Sequence, residues 1–177
     1  MELTVEKKHC GAQEREALLY VLRRLDAEGV AYKVVGGMAV VLQGVPSVPV
    51  NDVDLEMPEA AVYRFQELFA EFALLPVAWR EGETYRSHFG RFEILGVLFE
   101  VMADLERREG ATWVPTMTVT ESRVDLEELS VRVSPLEEET LAYIRRGRLE
   151  RAARCLPLCD HQRLLALWRG EIPTHVI

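Results

Sequence analysis

The sequence predicts a mixed α/β domain with a C-terminal helical extension. Two observations indicate this class: helical segments alternate with short valine-rich strands in the first half, and a β-rich stretch is followed by charged helical segments in the second. The chain has 177 residues, of which 49% are hydrophobic, so it can build its own core. We expect residues 1–133 to form the sheet domain and residues 134–177 to pack on it as a helical segment.

The first half of the chain alternates helix and strand. Leucines and valines at helical spacing predict a helix over residues 13–28. A valine-rich strand is predicted over residues 30–36, followed by one or two helical turns up to Gly44. A second strand is predicted over residues 52–57, and Pro58 then opens a helix at a position that tolerates proline.

The second half of the chain is predicted to form strands first and helices afterwards. Residues 76–90 are predicted as a loop or an irregular strand, and two strands flank Gly96 as a hairpin. A β-rich stretch covers residues 112–134. The run Ser-Pro-Leu-Glu at residues 134–137 predicts a capping box at the start of a helix. One or two more helices follow over residues 148–170.

Composition restricts the partners and the location. The net charge is −8, from 21 basic and 29 acidic residues, so nucleic acid is not expected as a partner. No apolar run approaches the roughly 20 residues that span a bilayer, which predicts no membrane segment. The first residues, MELTVEKKHC, lack an apolar core, so no secretion signal and a cytoplasmic location are expected.

The three cysteines do not form a disulfide framework. Cys155, Cys159 and His161 could bind a metal, since they offer two thiols and an imidazole. Pro157 disturbs the helix that would align the thiols, and no second ligand pair follows. Buried structural thiols are therefore the favoured interpretation.

A pair of aspartates marks the second strand. Residues i and i+2 of a strand point the same way, so Asp52 and Asp54 share one face while Val53 and Leu55 take the other. Two carboxylates this close repel each other unless a cation neutralises them. Oxygen ligands with room for water and phosphate suit Mg²⁺, or Mn²⁺, better than zinc. The alternative is that both aspartates simply face water at a sheet edge.

A third carboxylate would complete a two-metal site. The best candidate is Glu100, because an acid between Phe99 and Val101 in mid-strand is costly without a partner. Asp104, at the end of the same strand, is the second candidate, and Glu93 is the third.

Two glycines separate the first strand from a helical turn. Gly36 and Gly37 have no Cβ, which permits the close approach of an anion such as a triphosphate to backbone N–H groups. The surrounding sequence contains neither a Walker loop nor a dinucleotide fingerprint. Alone, the two glycines would indicate only a tight turn.

The combination of these features resembles the nucleotidyltransferase fold of the DNA polymerase β superfamily. An apolar strand, Gly36-Gly37, a short helix and then the run Asp52-Val53-Asp54-Leu55 match that family's motif over residues 34–57. Glu100 extends the resemblance to about residue 104. The small bacterial branches are the most similar, including aminoglycoside and lincosamide nucleotidyltransferases and the nucleotidyltransferases of toxin–antitoxin systems.

The resemblance implies a role for each matching residue. Gly36 and Gly37 would cradle the triphosphate of a nucleoside triphosphate, with Lys33 as a nearby cation, and Asp52, Asp54 and Glu100 would hold the metal ions. Glu100 would also activate the acceptor hydroxyl as a base. The reaction would move a nucleoside monophosphate, expected to be AMP, to a hydroxyl of a small molecule or protein. A homodimer is compatible with this family.

The loop before Asp52 departs from the family pattern. Many relatives carry an arginine and a threonine there, whereas this loop reads VPSVPVN. Arg80, Arg86 and Arg91 are other cations that the triphosphate could use. If no cation replaces the missing arginine, the chain would be a degenerate, antitoxin-like regulatory protein that has kept only the fold. An open cleft beside the three acids favours the enzyme, and a filled cleft favours the regulator.

Other polar and aromatic residues have two possible roles. His88 could contact the acceptor, but a loop histidine without a catalytic role is favoured. Trp79, Tyr85 and Phe89 could line a pocket or pack at a rim. Five arginines in the C-terminal segment could form a basic face, although a solvated helix surface is favoured. They are Arg145, Arg146, Arg148, Arg151 and Arg154.

Overall fold

The computed structural model describes residues 11–116, 118 and 120–172. The helices are α1 (Ala12–Ala27), α2 (Gly36–Leu42), α3 (Glu59–Leu68), α4 (Leu136–Arg145), α5 (Leu149–Cys155) and α6 (His161–Trp168). The strands are β1 (Lys33–Val35), β2 (Asp52–Glu56), β3 (Ala73–Glu81), β4 (Tyr85–Ile94), β5 (Val97–Glu109), β6 (Thr112–Pro115), β7 (Ser122–Leu126) and β8 (Leu129–Val133). Two short 3₁₀ turns cover Ala70–Phe72 and Leu156–Leu158.

The strands form one mixed sheet, in the order β3-β4-β5-β2-β1-β8-β7, with β6 added to β5. β2 runs antiparallel to β1 and parallel to β5, and β1 runs parallel to β8. Helices flank this sheet, so the predicted mixed α/β class is confirmed. No helix in the described part of the chain is long and apolar enough to cross a bilayer.

The main core lies between α1, α3 and one face of the sheet. The apolar stripe of α1 is fully buried, as Leu18 and Leu22 show at 0% exposure. Phe65 of α3 packs edge-on against Phe92 of β4, with ring centroids 5.0 Å apart. Burial of such side chains contributes about 1.5–3 kcal/mol each, so this face fixes the position of β2 and β5.

A second apolar cluster attaches the C-terminal helices to α2. Val40 and Val41 of α2 pack with Tyr143 of α4 and with Ala152 and Cys155 of α5. Helices α4 and α5 are thereby held next to the two glycines that begin α2. The division of the chain into a sheet domain that ends at residue 133 and a helical segment that begins at residue 134 is not tested and stays a prediction.

Most of residues 76–90 form the β3–β4 hairpin, which has register shifts in β3, so of the two predicted alternatives the irregular strand is confirmed and the loop is wrong. Pro76 lies in β3, which is the edge strand of the sheet, where a missing N–H is tolerated. Gly90 lies in β4 where a Cβ would come within 2.6 Å of Val77, so the glycine permits close strand packing. The hairpin predicted around Gly96 is present as β4 and β5.

The predicted capping box is also wrong. Pro135 is the N-cap residue of α4, and no side chain caps this end of the helix. The Ser134 N–H instead donates to the carbonyl of Val34 at 2.8 Å, which extends the pairing of β8 with β1. Glu137 accepts from the N–H of Asp160 at 2.8 Å, so it joins α4 to the start of α6.

Candidate active site

Three carboxylates come together on the face of the sheet opposite the main core. Asp54 of β2 lies directly beside Glu100 of β5 in the parallel register. Val53 and Leu55 are fully buried on the other face, as the alternation of side chains requires. Oxygen atoms of Asp52, Asp54 and Glu100 lie within 4.8 Å of one another. The structure therefore brings together the three acids that the sequence singles out.

The two other candidate acids lie elsewhere. Asp104 projects near His88 and Glu59, and its Oδ2 lies 4.0 Å from His88 Nε2. Glu93 is exposed and pairs with Leu98 near the end of the β4–β5 hairpin. Neither belongs to the cluster formed by Asp52, Asp54 and Glu100, so Glu100 is the third acid of that cluster.

Within the cluster, Asp54 bears most of the cost of holding a negative charge. Burial raises the pKa of Asp54 to about 7, and the neighbouring Asp52 and Glu100 add to this shift. The negative charge of Glu100 is partly compensated by Arg91, because Glu100 Oε1 accepts hydrogen bonds from Arg91 Nε and Nη2 at 2.9 and 2.5 Å. A divalent cation would relieve the remaining repulsion, so the oxygen-only donor set fits Mg²⁺ or Mn²⁺.

The backbone at the start of α2 adopts a conformation that favours glycine at position 36. Its φ angle is +67°, and a Cβ at this position would come within 2.6 Å of Asp54 Oδ2. The following Gly37 lies under the carbonyl of Pro49, where a Cβ would be 3.4 Å from that oxygen and 4.0 Å from Arg151 Nη1. Both glycines thus lie beside the acids and line the same cavity.

A buried carboxylate that the sequence reasoning missed holds this turn. Glu139 Oε1 accepts from the N–H of Gly36 at 3.1 Å. Burial raises the pKa of Glu139, and the Gly36 N–H and Ser134 hydroxyl oppose that shift. An acid in the first turn of a helix is ordinary, so the sequence held no signal for this contact. The Gly36 N–H is engaged by Glu139, and α4 is tied to the glycine turn.

Lys33 does not line the cavity. Its Nζ lies 3.0 Å from Glu56 Oε2 and donates to the carbonyl of Thr118 at 2.6 Å. These contacts give no support to a direct role for Lys33 in nucleotide binding, which stays a prediction.

An open cavity of about 850 Å³ extends from the acids along the sheet. One end is formed by the glycine turn and the three carboxylates. A second wall comes from the hairpin β3–β4 and from β5 and β6, and a third from α4 and α5. Tyr85 and Phe89 line the second wall, whereas Trp79 lies outside the lining and contacts His88 at 5.0 Å between ring centroids.

Arginines from the C-terminal helices line the third wall. They are Arg145, Arg146, Arg148 and Arg151. Among the described residues, none of the four forms an ion pair with a carboxylate, and Arg146 reaches over the ring of Tyr85 at 5.7 Å. Arg145, Arg146 and Arg148 are exposed, in agreement with the favoured prediction of a solvated helix surface, and they also line the cavity. Arg154 does not line the cavity and binds the Ser47 carbonyl at 2.6 Å.

The remaining candidates take structural positions. His88 Nδ1 lies 3.0 Å from the Tyr63 hydroxyl and does not line the cavity. Cys155 is fully buried in the second apolar cluster, and Cys159 Sγ lies 3.2 Å from the Thr140 hydroxyl. Burial raises the pKa of both thiols, as expected for structural cysteines.

The raised pKa of Asp54 predicts a pH-dependent stability in the absence of divalent metal. The folded-state pKa of about 7 lies above the value near 3.9 expected in the unfolded chain. Between these two values the folded state binds a proton that the unfolded state lacks, so the free energy of unfolding should rise as pH falls from about 8 to 5. Urea denaturation in EDTA at several pH values measures this.

Asp54→Asn provides the control for that titration, since it removes the titrating group and leaves Glu56 and Glu139 in place. We expect a smaller gain in stability between pH 8 and pH 5 in this variant than in the wild type. Equal pH profiles for the two proteins would contradict the assignment of the shift to Asp54.

Known proteins are similar to this chain in sequence and in fold. The profile of the aminoglycoside-2″-adenylyltransferase family matches residues 17–154. A Thermotoga maritima protein described as a nucleotidyltransferase is 30% identical, with a TM-score of 0.72 over 94% of this chain and 99% of that one. Among curated proteins, none matches the chain.

Two more distant structures share the fold. The antibiotic-resistance factor ANT(2″)-Ia, solved with adenylyl-2″-tobramycin, is 13% identical, with a TM-score of 0.56 over 89% of this chain and 98% of that one. A nucleotidyltransferase-like antigen of Paracoccidioides brasiliensis is 16% identical, with a TM-score of 0.51 over 91% and 89% of the two chains. The family profile spans most of the sheet domain and the first two C-terminal helices. The chain therefore belongs to the aminoglycoside-2″-adenylyltransferase family of nucleotidyltransferase enzymes.

Proposed function

We propose that this enzyme transfers AMP from ATP to a hydroxyl group of a small molecule, with Mg²⁺ or Mn²⁺ bound by Asp52, Asp54 and Glu100. The observation that carries the proposal is the cluster of three carboxylates, within 4.8 Å of one another, at the wall of an open cavity. Adenylyl transfer is the activity in the family's name, and this supports AMP as the transferred group.

Each acid has a proposed role in an in-line transfer. The acceptor oxygen attacks the α-phosphorus of ATP and forms a P–O bond while the bond to pyrophosphate breaks. Asp52 and Asp54 are proposed as metal ligands, and Glu100 as a metal ligand that also takes the proton of the acceptor hydroxyl. Metal ions bound there would neutralise charge on the phosphoryl group and on the leaving pyrophosphate. Pyrophosphate then departs with the electron pair of the broken bond.

The arginines of α4 and α5 are proposed to replace the cation missing from the loop before Asp52. A triphosphate at the glycine turn would meet Arg151, whose Nη1 lies 4.0 Å from the Cβ position of Gly37. Arg145, Arg146 and Arg148 line the same cavity without carboxylate partners among the described residues. Charge-assisted contacts of this kind are the strong ones in phosphate binding.

An open cavity with charged side chains on its walls supports the enzyme over the regulatory alternative. A regulator that has kept only the fold would be expected to fill the cleft with apolar side chains or a helix. In this structure, α4 and α5 instead contribute arginines to the cavity and leave the three acids accessible. A cytoplasmic location and a homodimer stay predictions.

The test of the proposed function is nucleotide-dependent stabilisation. We expect ATP with Mg²⁺ to raise the free energy of unfolding by about 2.7 kcal/mol at a hundredfold excess over the dissociation constant. Thermal denaturation with each nucleoside triphosphate, with and without Mg²⁺, measures the shift.

Two variants test whether the stabilisation depends on the proposed metal ligands. Asp52→Ala with Asp54→Ala should abolish the metal-dependent part of the shift, whereas Asp125→Asn, an exposed aspartate on β7, should leave it unchanged. If no nucleoside triphosphate stabilises the well-folded protein, the proposed function is wrong.

A further inference from the structure

We propose that Glu59, His88 and Asp104 form a second metal site, which binds a divalent ion that favours nitrogen ligands, such as Zn²⁺. The three side chains offer one imidazole and two carboxylates, and their ligand atoms lie within 4.8 Å of one another. None of the three residues lines the cavity that holds the catalytic acids. The inference therefore does not depend on the proposed function.

Three elements meet at this site. Glu59 is the first residue of α3, whereas His88 lies in β4 and Asp104 in β5. His88 is paired with Ala103, which is fully buried in the main core, and residues directly opposite in a sheet share a face. The imidazole accordingly contacts Tyr63 of α3. The site lies at the margin of the main core, on the face of the sheet opposite the catalytic acids.

A β-bulge brings Asp104 to that same face. The pairing of β4 with β5 shifts between Arg86, which is opposite Glu106, and His88, which is opposite Ala103, so β5 contains one extra residue. Asp104 lies in this bulge with a φ angle of +52°, which is uncommon for a residue with a Cβ. In a regular strand Asp104 would point away from the face of Ala103. The bulge instead directs its carboxylate toward His88.

The imidazole of His88 is held in a fixed orientation. Its Nδ1 lies 3.0 Å from the Tyr63 hydroxyl, and the rings of Tyr63 and Trp79 pack edge-on against it at 5.6 and 5.0 Å between centroids. When the Nδ1–H donates to the Tyr63 hydroxyl, Nε2 carries the lone pair that a metal ion needs. The ring thus presents Nε2 to the two carboxylates before any ion binds.

The distances around Nε2 suit a shared metal ion better than direct contacts. Nε2 lies 3.6 Å from Glu59 Oε1 and 4.0 Å from Asp104 Oδ2, and both distances are longer than hydrogen bonds. Two ligands of a tetrahedral zinc ion lie about 3.3–3.6 Å apart, given zinc–ligand bonds of about 2.0–2.2 Å. The Glu59 distance matches this separation, and a small shift of the exposed Asp104 carboxylate brings the third ligand into place.

The charge and the donor types indicate the class of ion. Among the described residues, no lysine or arginine pairs with Glu59 or with Asp104, so two neighbouring carboxylates lack a cation. Imidazole nitrogen suits Zn²⁺, whereas Mg²⁺ prefers oxygen ligands alone. Zn²⁺ is therefore expected at this site and Mg²⁺ at the catalytic acids.

Isothermal titration of the full chain with Zn²⁺, in excess Mg²⁺, tests the site. We expect the wild type to bind Zn²⁺ and the affinity to fall at least tenfold in His88→Gln and in Glu59→Gln. Glu67→Gln, which changes an exposed glutamate of α3 outside the cluster, should keep the wild-type affinity. A lack of Zn²⁺ binding by the wild type, or equal affinities in the folded His88→Gln and Glu59→Gln variants, would overturn the proposal.

Two further variants distinguish this site from other zinc ligands of the chain. Asp52→Ala with Asp54→Ala disrupts the catalytic cluster, and Cys159→Ser with His161→Gln removes two ligands of the alternative thiol set. Both double variants should bind Zn²⁺ as tightly as the wild type does. Loss of Zn²⁺ binding in either of them, with binding retained in His88→Gln, would overturn the proposal.

Co²⁺ provides a readout that reports on the imidazole itself. Co²⁺ in a four-coordinate site absorbs visible light more strongly than aqueous Co²⁺ does. We expect this absorption in the wild type, its loss in the folded His88→Gln variant and its displacement by Zn²⁺. An equally intense band in His88→Gln would show that the ion binds elsewhere and would overturn the assignment of His88 as a ligand.

Discussion

Replacement of Asp54 by asparagine is expected to slow AMP transfer about a thousandfold while it stabilises the metal-free protein above pH 7. Loss of a charged ligand removes charge neutralisation that acts mainly in the transition state, and the loss of one such interaction typically lowers the rate by about a hundred- to a thousandfold. Asp54 shares the cluster with Asp52 and Glu100, so its replacement leaves two of the three carboxylates to bind the metal.

The gain in stability follows from the same charge. Burial and the two neighbouring acids raise the pKa of Asp54 to about 7, so the ionised form destabilises the metal-free folded state above that pH. A neutral asparagine removes that cost, which the difference between a pKa of about 7 and the ordinary value near 3.9 places on the order of 4 kcal/mol at pH 8. Single-turnover transfer assays and urea denaturation in EDTA measure the two effects on one sample.

Asp104→Asn is the matched control, because it makes the same chemical change on β5 outside the cluster. Asp104 lies near His88 and Glu59 and does not line the cavity, so this variant should keep a transfer rate near that of the wild type. A large loss of rate in Asp104→Asn together with an active Asp54→Asn would reverse the assignment of the acids.

The acids could be predicted from the sequence because each carries a local signal. Asp52 and Asp54 alternate with apolar residues, so the pleat of a strand places them on one face whatever the rest of the fold does. Glu100 stands in an apolar strand, where only a partner makes an acid tolerable. The parallel pairing of β2 with β5 then brings Glu100 next to the two aspartates.

The arginines that line the cavity and the contact of Glu139 with Gly36 could not be predicted in the same way. A helix with early acids and late arginines is typical of a solvated surface. The packing of Tyr143 and Ala152 with α2, which places α4 and α5 beside the cavity, is a property of the folded chain. Likewise, β3 contains Pro76, a residue that usually indicates a loop, and its place at the sheet edge is a property of the whole topology.

Gly36→Ala is expected to destabilise the protein by about 2–3 kcal/mol and to lower the transfer rate. The φ angle of +67° costs a residue with a Cβ about 1–2 kcal/mol, and the new Cβ would come within 2.6 Å of Asp54 Oδ2. Either this carboxylate or the turn must move, and Asp54 is a proposed metal ligand. Chemical denaturation gives the change in stability, and transfer assays at saturating Mg²⁺ give the change in rate.

Gly29→Ala separates the strain of a positive φ angle from the contact with Asp54. Gly29 has a φ angle of +65°, and a Cβ there has no atom within 4 Å, so this variant should show the backbone strain alone with a normal transfer rate. The extra loss in Gly36→Ala measures the contact with Asp54, and it should shrink when Asp54 is also replaced by alanine, since coupled neighbours are not additive. If the two glycine variants were equally stable and equally active, Gly36 would serve only the turn, and the glycine would have no part in positioning the acids.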